Sequence, residues 1–203
     1  MAKEDNWFAR EHNLVKPFVV LYSGNMGRCH DVDTLFKTAC QLKDEPILFV
    51  CIGGGAKRNK LIETVAQKGL TNFLFLPYQE KSVLPFSLTA SDLSLVSVAN
   101  GMEDLVAPSK LYPAMAAGRP IVAICPPHSY LKNLLDSSSA GAAFDNGAAD
   151  ALASYIRHLS LNREEAERIG ELGRNYMQKH FTPEIISHQY ARVIKDTASL
   201  TST

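Results

Sequence analysis

Residues 17–55 read PFVVLYSGNMGRCHDVDTLFKTACQLKDEPILFVCIGGG, and this stretch decides the fold. It begins with a continuous apolar run, rich in β-branched residues, that ends at Ser23-Gly24 and predicts a buried strand. Residues 31–42 then carry apolar side chains at helical spacing, and residues 46–55 form a second apolar run that ends in three glycines. The order is therefore strand, helix, strand.

The same alternation continues along the chain. Four more apolar runs predict strands over 72–78, 92–98, 120–125 and 140–144, and the segments between them predict helices. From Asn146 onward the patterns are helical. Continuous apolar strands that alternate with helices predict an α/β fold, a Rossmann-like doubly wound parallel sheet of about six strands with helices on both faces and a helical C-terminus.

The composition narrows the class of protein. The chain has 203 residues, of which 46% are hydrophobic and 21% charged, so it can bury one sizeable core. Its formal net charge of zero gives no sign of a nucleic-acid partner. No apolar run reaches the ~20 residues that span a bilayer. The four cysteines form no C-x-x-C pair and predict free thiols in a reducing cytoplasm.

The patterns divide the chain into three segments. Residues 1–16 are polar, lack the features of a signal peptide and predict a connecting segment, so we expect another segment before it in the natural protein. Residues 17–181 form the predicted α/β domain. Thr182-Pro183 is a typical helix start, with threonine as cap and proline at the first helical position, so residues 182–203 form a last helix and tail.

Two glycine-rich turns follow the first two predicted strands. In sheets of this kind ligands bind beyond the carboxyl ends of the strands, where the strand order reverses. After the first strand, Gly24 and Gly27 allow a tight turn and Arg28 can pair with phosphate. After the second, the backbone N–H groups of Gly53–Gly55 can hold an anion. Neither turn has the G-x-G-x-x-G or Walker pattern, and plain glycine turns stay open as the alternative.

Two later loops supply further polar groups. Pro77 and Tyr78 follow the third strand, where Tyr78 can stack on a base or sugar or simply pack against the domain. The loop after the fourth strand holds Glu103 and Asp104, whose carboxylates can bind hydroxyl groups or remain solvated.

The strongest candidate site lies in the segment PSKLYPAMAAGRPIVA, residues 108–123. Pro113 lacks an N–H group and fits only in or near a first turn, so the helix has to begin near residues 109–113. A first turn has free N–H groups and the positive end of the helix dipole. Ser109 and Lys110 add a hydroxyl and an ammonium there, and together these groups predict a phosphate site.

Taken in order, the motifs resemble one family. YSGNMGR, ILFVCIGGGAKRNKL, TNFLFLPYQEKSVLP, PSKLYPAMAAGRPIVA and FTPEIISHQYARVI are similar to the C-terminal half of a GT-B glycosyltransferase of the retaining group 1 (family 4) type. Within that family, the PSKLY and AAGRP elements resemble the branch that builds bacterial polysaccharides such as colanic acid and O-antigen. The resemblance extends from Pro17 to about Asp196.

This resemblance implies that residues 17–181 bind a nucleotide-diphosphate-sugar donor, such as a UDP- or GDP-sugar, and that transfer needs neither a metal nor another cofactor. The diphosphate is expected on the first turn of the helix, helped by the turn after the first strand: Ser109, Lys110, Leu111, Gly24, Gly27 and Arg28. The base is expected near Gly53, Gly54, Gly55, Pro77 and Tyr78. No catalytic residue is assigned.

The chain also departs from the family pattern. Many members carry two glutamates in the pattern E-x7-E, and their places are taken here by Leu105 and Pro113. Glu103 is the nearest acidic residue and is the candidate for binding hydroxyls of the donor sugar. His30 stands where a lysine often follows the basic residue after the first strand.

The resemblance covers one of the two domains of a GT-B enzyme. We therefore expect a donor-binding half that is inactive without an N-terminal acceptor domain, in the same natural chain or as a separate subunit, with the last helix crossing back toward it. A non-catalytic or degenerate nucleotide-binding module and one half of a sugar-nucleotide epimerase-like protein stay open as alternatives. The full-length enzyme is expected in the cytoplasm, either free or peripherally attached to a membrane.

Overall fold

The computed structural model describes residues 1–106 and 109–200, and these residues form one six-stranded sheet. The pairings are all parallel, and the strand order across the sheet is β3-β2-β1-β4-β5-β6. The strands are β1 (Phe18–Ser23), β2 (Ile47–Ile52), β3 (Phe73–Leu76), β4 (Leu93–Ser97), β5 (Ile121–Ile124) and β6 (Gly141–Phe144). The predicted doubly wound parallel sheet is therefore confirmed.

Helices lie between the strands and extend the C-terminus. In chain order they are α1 (Trp7–Glu11), α2 (Val32–Gln41), α3 (Arg58–Gln67), α4 (Leu84–Thr89), α5 (Leu111–Ala116), α6 (Tyr130–Ser138), α7 (Ala149–Leu161), α8 (Arg163–His180) and α9 (Pro183–Leu200). Two parts of the predictions lie outside the described residues: Pro108, the first residue of the candidate segment 108–123, and residues 201–203 of the predicted tail.

Alternate residues of β1 face opposite sides of the sheet. Phe18, Val20 and Tyr22 pack with α2, α3 and α7, whereas Val19 and Leu21 pack with α1 and α4. All five are at most 2% exposed. A strand buried on both faces needs a continuous apolar sequence, which explains the run that begins the fold. Each buried valine or leucine side chain contributes about 1.5–3 kcal/mol to stability.

The strand order reverses between β1 and β4, in the middle of the sheet. The register joins Val20 to Leu93 and Leu21 to Ser94. From β1 the chain continues through β2 and β3 on one side, and from β4 it continues through β5 and β6 on the other. The loops that follow β1 and β4 therefore diverge and leave a crevice at the carboxyl edge of the sheet.

Residues 1–16, the predicted connecting segment, pack against the domain. The Asn6 side chain accepts from the N–H groups at the start of α1, and its amide donates to the Phe86 carbonyl of α4 at 2.8 Å. Phe8 of α1 is 1% exposed, and Lys3 pairs with Asp92 at 2.6 Å. Residues 1–16 are thus part of the packed structure. The division of the chain at residues 17 and 182 stays a prediction.

The C-terminal helices begin where the sequence predicts. The N–H group of Ile185 donates to Oγ1 of Thr182 at 3.4 Å, so threonine caps α9 as expected. One face of α9 is largely open to solvent, with Tyr190, Val193 and Ile194 between 63% and 68% exposed. Among the described residues, no helix combines the length and the apolar character needed to cross a bilayer.

Candidate functional site

A cavity of about 270 Å³ opens at the point where the strand order reverses. Its floor is formed by Leu21 of β1 and by Ser94 and Val96 of β4. The walls and mouth come from α4, from the loops after β1 and β3 and from the start of α5: Leu84, Leu88, Ser23, Gly24, Tyr78, Gln79, Ser109, Lys110, Pro113 and Ala114. The described lining residues include one cation and no carboxylate, so the cavity suits an anionic ligand.

Lys110 lies at the mouth of this cavity and passes over Gly24. Gly24 has φ +126°, and a Cβ built on it would lie 2.8 Å from Cε of Lys110. The Lys110 ammonium lies 5.4 Å from the centre of the Tyr22 ring, a cation–π arrangement. Burial lowers the pKa of Lys110, because water is partly removed from its charge. Two of the candidate diphosphate residues, Gly24 and Lys110, therefore lie against each other, and the missing side chain of the glycine leaves room for the lysine.

His30 joins this cluster, and it is the site residue that the motifs did not place. Its Nδ1 lies 2.7 Å from the Ser97 carbonyl oxygen, and its Nε2 lies 3.1 Å from Nζ of Lys110. A carbonyl only accepts, so Nδ1 carries the proton, and an ammonium only donates, so Nε2 accepts. The imidazole is therefore neutral. The signal in the sequence was its position two residues after Arg28, in place of a lysine.

The surroundings of His30 keep it neutral. Burial is the largest cause that lowers its pKa, and the charges of Lys110 and Lys57 lower it further. The hydrogen bond to Ser97 acts in the opposite direction. The lysine and histidine therefore form one coupled group at the carboxyl edge of the sheet.

The three glycines after β2 pack against the loop after β1. The Met26 N–H group donates to the Gly54 carbonyl at 2.7 Å, and a Cβ on Gly53 would collide with the Gly24 carbonyl. A Cβ on Gly55 would likewise meet the Met26 backbone. The close approach of the two loops is thus one reason for glycine here, and the role of these N–H groups in anion binding stays a prediction.

The loop after β3 borders the same cavity. Tyr78 is 62% exposed, and its ring edge is the nearest neighbour of Gly54, at 3.0 Å from a Cβ built there. Pro77 is exposed beside it. An exposed ring at the rim of a cavity is available for stacking, so the predicted base contact at Pro77 and Tyr78 is compatible with the geometry.

The other predicted diphosphate residues take different positions. Ser109 is exposed and lines the cavity. Leu111 begins α5, as predicted from Pro113, but its side chain is fully buried, so only its backbone can face a ligand. Arg28 is exposed and makes no hydrogen bond or ion pair with any described residue, and Gly27 is buried just before it.

Glu103 lies apart from the cavity lining and pairs with a histidine. Its Oε1 lies 2.8 Å from Nε2 of His128, in the loop after β5, and its side chain is 11% exposed. Hydrogen bonds from backbone N–H groups, together with His128, lower the pKa of Glu103. A carboxylate held ionised in this way can accept hydrogen bonds from hydroxyl groups, and its contact with a donor sugar stays a prediction.

The two residues at the positions of the family glutamates offer no carboxylate. Pro113 lines the cavity, and Leu105 is 76% exposed. The cavity wall at Pro113 is therefore apolar in this chain.

Comparison with known proteins identifies the family. Residues 3–176 match the family described as "Glycosyl transferases group 1". The chain is 32% identical over 158 residues to WcaI of Escherichia coli (strain K12), named as a colanic acid biosynthesis glycosyl transferase, and the match covers 74% of this chain and 39% of WcaI. It is 28% identical over 186 residues to WbjE of Pseudomonas aeruginosa, named as a glycosyltransferase, covering 89% of this chain and 45% of WbjE.

A solved structure shows the same fold. HepE of Anabaena, crystallised in complex with UDP and glucose, superposes with a TM-score of 0.80 at 16% identity, over 94% of this chain and 52% of HepE. The chain thus spans less than half the length of the two curated relatives and about half of HepE. With the match over residues 3–176, these findings confirm the resemblance read from the motifs: the chain belongs to the group 1 glycosyl transferase family.

Proposed function

We propose that this chain is the donor-binding half of a retaining, metal-independent glycosyltransferase that acts in cell-surface polysaccharide synthesis. The observation that carries the proposal is the cavity at the reversal of strand order, with Lys110 and Ser109 at its mouth and Tyr78 at its rim. A cation at the mouth of a crevice without carboxylates in its described lining favours a diphosphate. The cavity behind it, with Tyr78 beside it, has the apolar surface that a nucleoside needs.

The chemistry follows from these positions. In the proposed complex the diphosphate accepts hydrogen bonds from the Lys110 ammonium and the Ser109 hydroxyl, and Arg28 reaches it from the loop after β1. Half-burial of Lys110 strengthens its attraction to a phosphate, because the local dielectric constant is lower than that of water. The donor sugar then points toward the open side of the crevice, where an acceptor domain would complete the site.

A nucleotide titration tests this proposal. UDP and GDP are titrated against the native chain, Lys110→Ala and Lys43→Ala by calorimetry. Loss of a charge-assisted hydrogen bond predicts about tenfold or greater weakening for Lys110→Ala. Lys43 is exposed at the end of α2, before β2 and hence at the opposite edge of the sheet, so Lys43→Ala should bind as the native chain does. Equal affinity of all three proteins would remove Lys110 from the site.

The wider role rests on the relatives. WcaI is named for colanic acid biosynthesis. We infer that this chain also serves in polysaccharide synthesis, and that it does so in the cytoplasm or at the cytoplasmic surface of the membrane. Because the chain covers 39% of WcaI and 45% of WbjE, we infer that an N-terminal acceptor domain, linked or separate, is needed for transfer. Transfer by the joined halves should persist in excess EDTA and keep the anomeric configuration of the donor, which product analysis by NMR checks.

A non-catalytic nucleotide-binding module is the second candidate. The observation that favours it is the absence of a carboxylate at Leu105 and at Pro113, of which Pro113 lines the cavity. A chain joined to its natural acceptor domain separates the two candidates: steady sugar transfer excludes the non-catalytic module, and nucleotide binding without transfer excludes the enzyme. An epimerase-like half predicts interconversion of sugar nucleotides instead, which the same assay detects.

A further inference from the structure

We propose that binding of a donor diphosphate at Lys110 is accompanied by uptake of a proton at His30. The inference rests on the proposed function and deepens it, because it assigns His30 a second state in the bound complex. In the free chain His30 accepts a hydrogen bond from Lys110; in the bound complex it is protonated and donates a hydrogen bond to the diphosphate.

The starting state is fixed by two hydrogen bonds. The Ser97 carbonyl lies 2.7 Å from Nδ1 of His30 and fixes the orientation of the ring. The Lys110 ammonium lies 3.1 Å from Nε2 and occupies its lone pair. A proton on Nε2 would face that ammonium directly, so the free chain disfavours imidazolium.

The groups around His30 come from several elements, and those closest to it are cationic or neutral. Lys57, just before α3, donates to the His30 carbonyl at 2.5 Å, and the Tyr22 ring of β1 stands edge-on at 6.1 Å. Cys29 and Asp31 flank His30 in the chain, and Arg28 lies two residues before it. The Asp31 carboxylate is already engaged as the cap of α2 and by the amide of Asn146. The closest titratable side chain is therefore Lys110.

A bound diphosphate reverses this balance. A phosphate oxygen hydrogen-bonded to Nζ of Lys110, at about 2.8 Å, lies within about 6 Å of Nε2. Its negative charge offsets that of Lys110 and favours the charged form of the imidazole, which raises the pKa of His30. When the ammonium turns toward the phosphate, the lone pair of Nε2 is free to take a proton from solvent. The imidazolium then has two N–H groups, one for Ser97 and one for the phosphate.

The experiment measures proton uptake with probes that do not titrate. UDP-glucose and GDP-mannose are diphosphate diesters without the phosphate ionisation that UDP and GDP have near pH 6. Calorimetric titrations in buffers of different ionisation enthalpy, from about pH 5.5 to about pH 8, give the number of protons bound with the ligand. The native chain should take up a fraction of a proton that peaks between the free and bound pKa values, and its affinity should fall up to about tenfold as pH rises, for a shift of one unit.

Two variants separate proton uptake from a purely structural role. His30→Asn keeps a donor for Ser97 and an acceptor for Lys110 but cannot titrate, and His30→Gln is a second such variant. Both should bind a donor without proton uptake and with an affinity that varies little with pH. His158→Asn is the matched control, because His158 lies on α7, is half exposed and pairs with Glu165, and it should behave as the native chain.

The outcomes are distinct. Binding by the native chain without proton uptake, or uptake that persists in His30→Asn and His30→Gln, would overturn the role of His30 and leave the proposed function intact. If the native chain binds neither donor at any pH, the proposed function itself fails, and the assignment of His30 fails with it.

Discussion

At Gly24, the backbone conformation and the side-chain packing both favour glycine. Its φ of +126° lies in a region that residues with a side chain rarely adopt, and Cε of Lys110 occupies the space of its missing Cβ. The sequence predicted a turn at this glycine from its place after an apolar strand. The contact with Lys110 was not predictable, because it joins residues that are far apart in the chain.

Replacement of this glycine should affect both stability and binding. Gly24→Ala is expected to lower the free energy of unfolding by about 1–3 kcal/mol and to displace Lys110, so nucleotide affinity also falls. Gly69→Ala is the control, since Gly69 has φ +63° with nothing within 4 Å of an added Cβ, and it should cost about 1–2 kcal/mol without loss of affinity. Urea unfolding and UDP titration measure the two effects. An unchanged affinity in Gly24→Ala would contradict the proposed position of Lys110.

His30 illustrates what motif reasoning leaves out at this scale. Its position near Arg28 was visible, but its partners are a backbone carbonyl in β4 and a side chain 80 positions later in the sequence. Neither contact can be recognised from a local sequence pattern around His30. The candidate site was therefore predicted as a set of loops. The hydrogen bond between Lys110 and His30 within it is seen only in the structure.

The secondary-structure elements differ in how far their sequence alone defines them. The strands were predicted because burial on both faces leaves a continuous apolar run, and α5 was predicted because Pro113 restricts where a helix can start. The helix α1 was not predicted, because its polar neighbours find their partners elsewhere in the chain. Asn6 and Lys3 are both buried, and they bind Phe86 and Asp92 in regions far along the sequence.

The packing of α1 predicts a measurable role for Asn6. Asn6→Ala removes the cap of α1 and leaves the Phe86 carbonyl without this donor, so we expect a loss of about 1–3 kcal/mol in the free energy of unfolding. Glu4→Ala, in the same segment but at an exposed side chain, should change it by less than about 0.5 kcal/mol. Urea denaturation of the three proteins provides the comparison. Equal stability would mean that the segment is bound too weakly to act as part of the domain.

At the scale of the whole molecule, His30 makes stability depend on pH. Its pKa in the folded chain is lowered from the ordinary 6.5. Below pH 6.5 the unfolded chain therefore binds a proton at this histidine that the folded chain binds only at lower pH. The contribution of His30 to the free energy of unfolding is complete above pH 6.5 and is lost as the pH falls toward the pKa of the folded chain. The slope is at most about 1.4 kcal/mol per pH unit.

His30→Asn isolates this contribution. Between about pH 7.5 and about pH 5.5, the native chain should lose more free energy of unfolding than the variant, because the other titrating groups are common to both. Urea unfolding at each pH gives the two curves. Parallel curves would show that His30 titrates alike in the folded and unfolded chain.

The order of the strands also governs how the chain can be assembled during synthesis. β1 lies at the centre of the sheet, yet its partner β4 starts more than 70 residues later, where Val20 meets Leu93. Until β4 leaves the ribosome, β1 presents one row of unpaired backbone groups, and an open strand edge is a template for association with other chains. We expect the nascent chain to be most vulnerable to aggregation while its length lies between the end of β2 and the end of β4. The same edge, once closed by β4, forms the floor of the crevice in which the donor is proposed to bind.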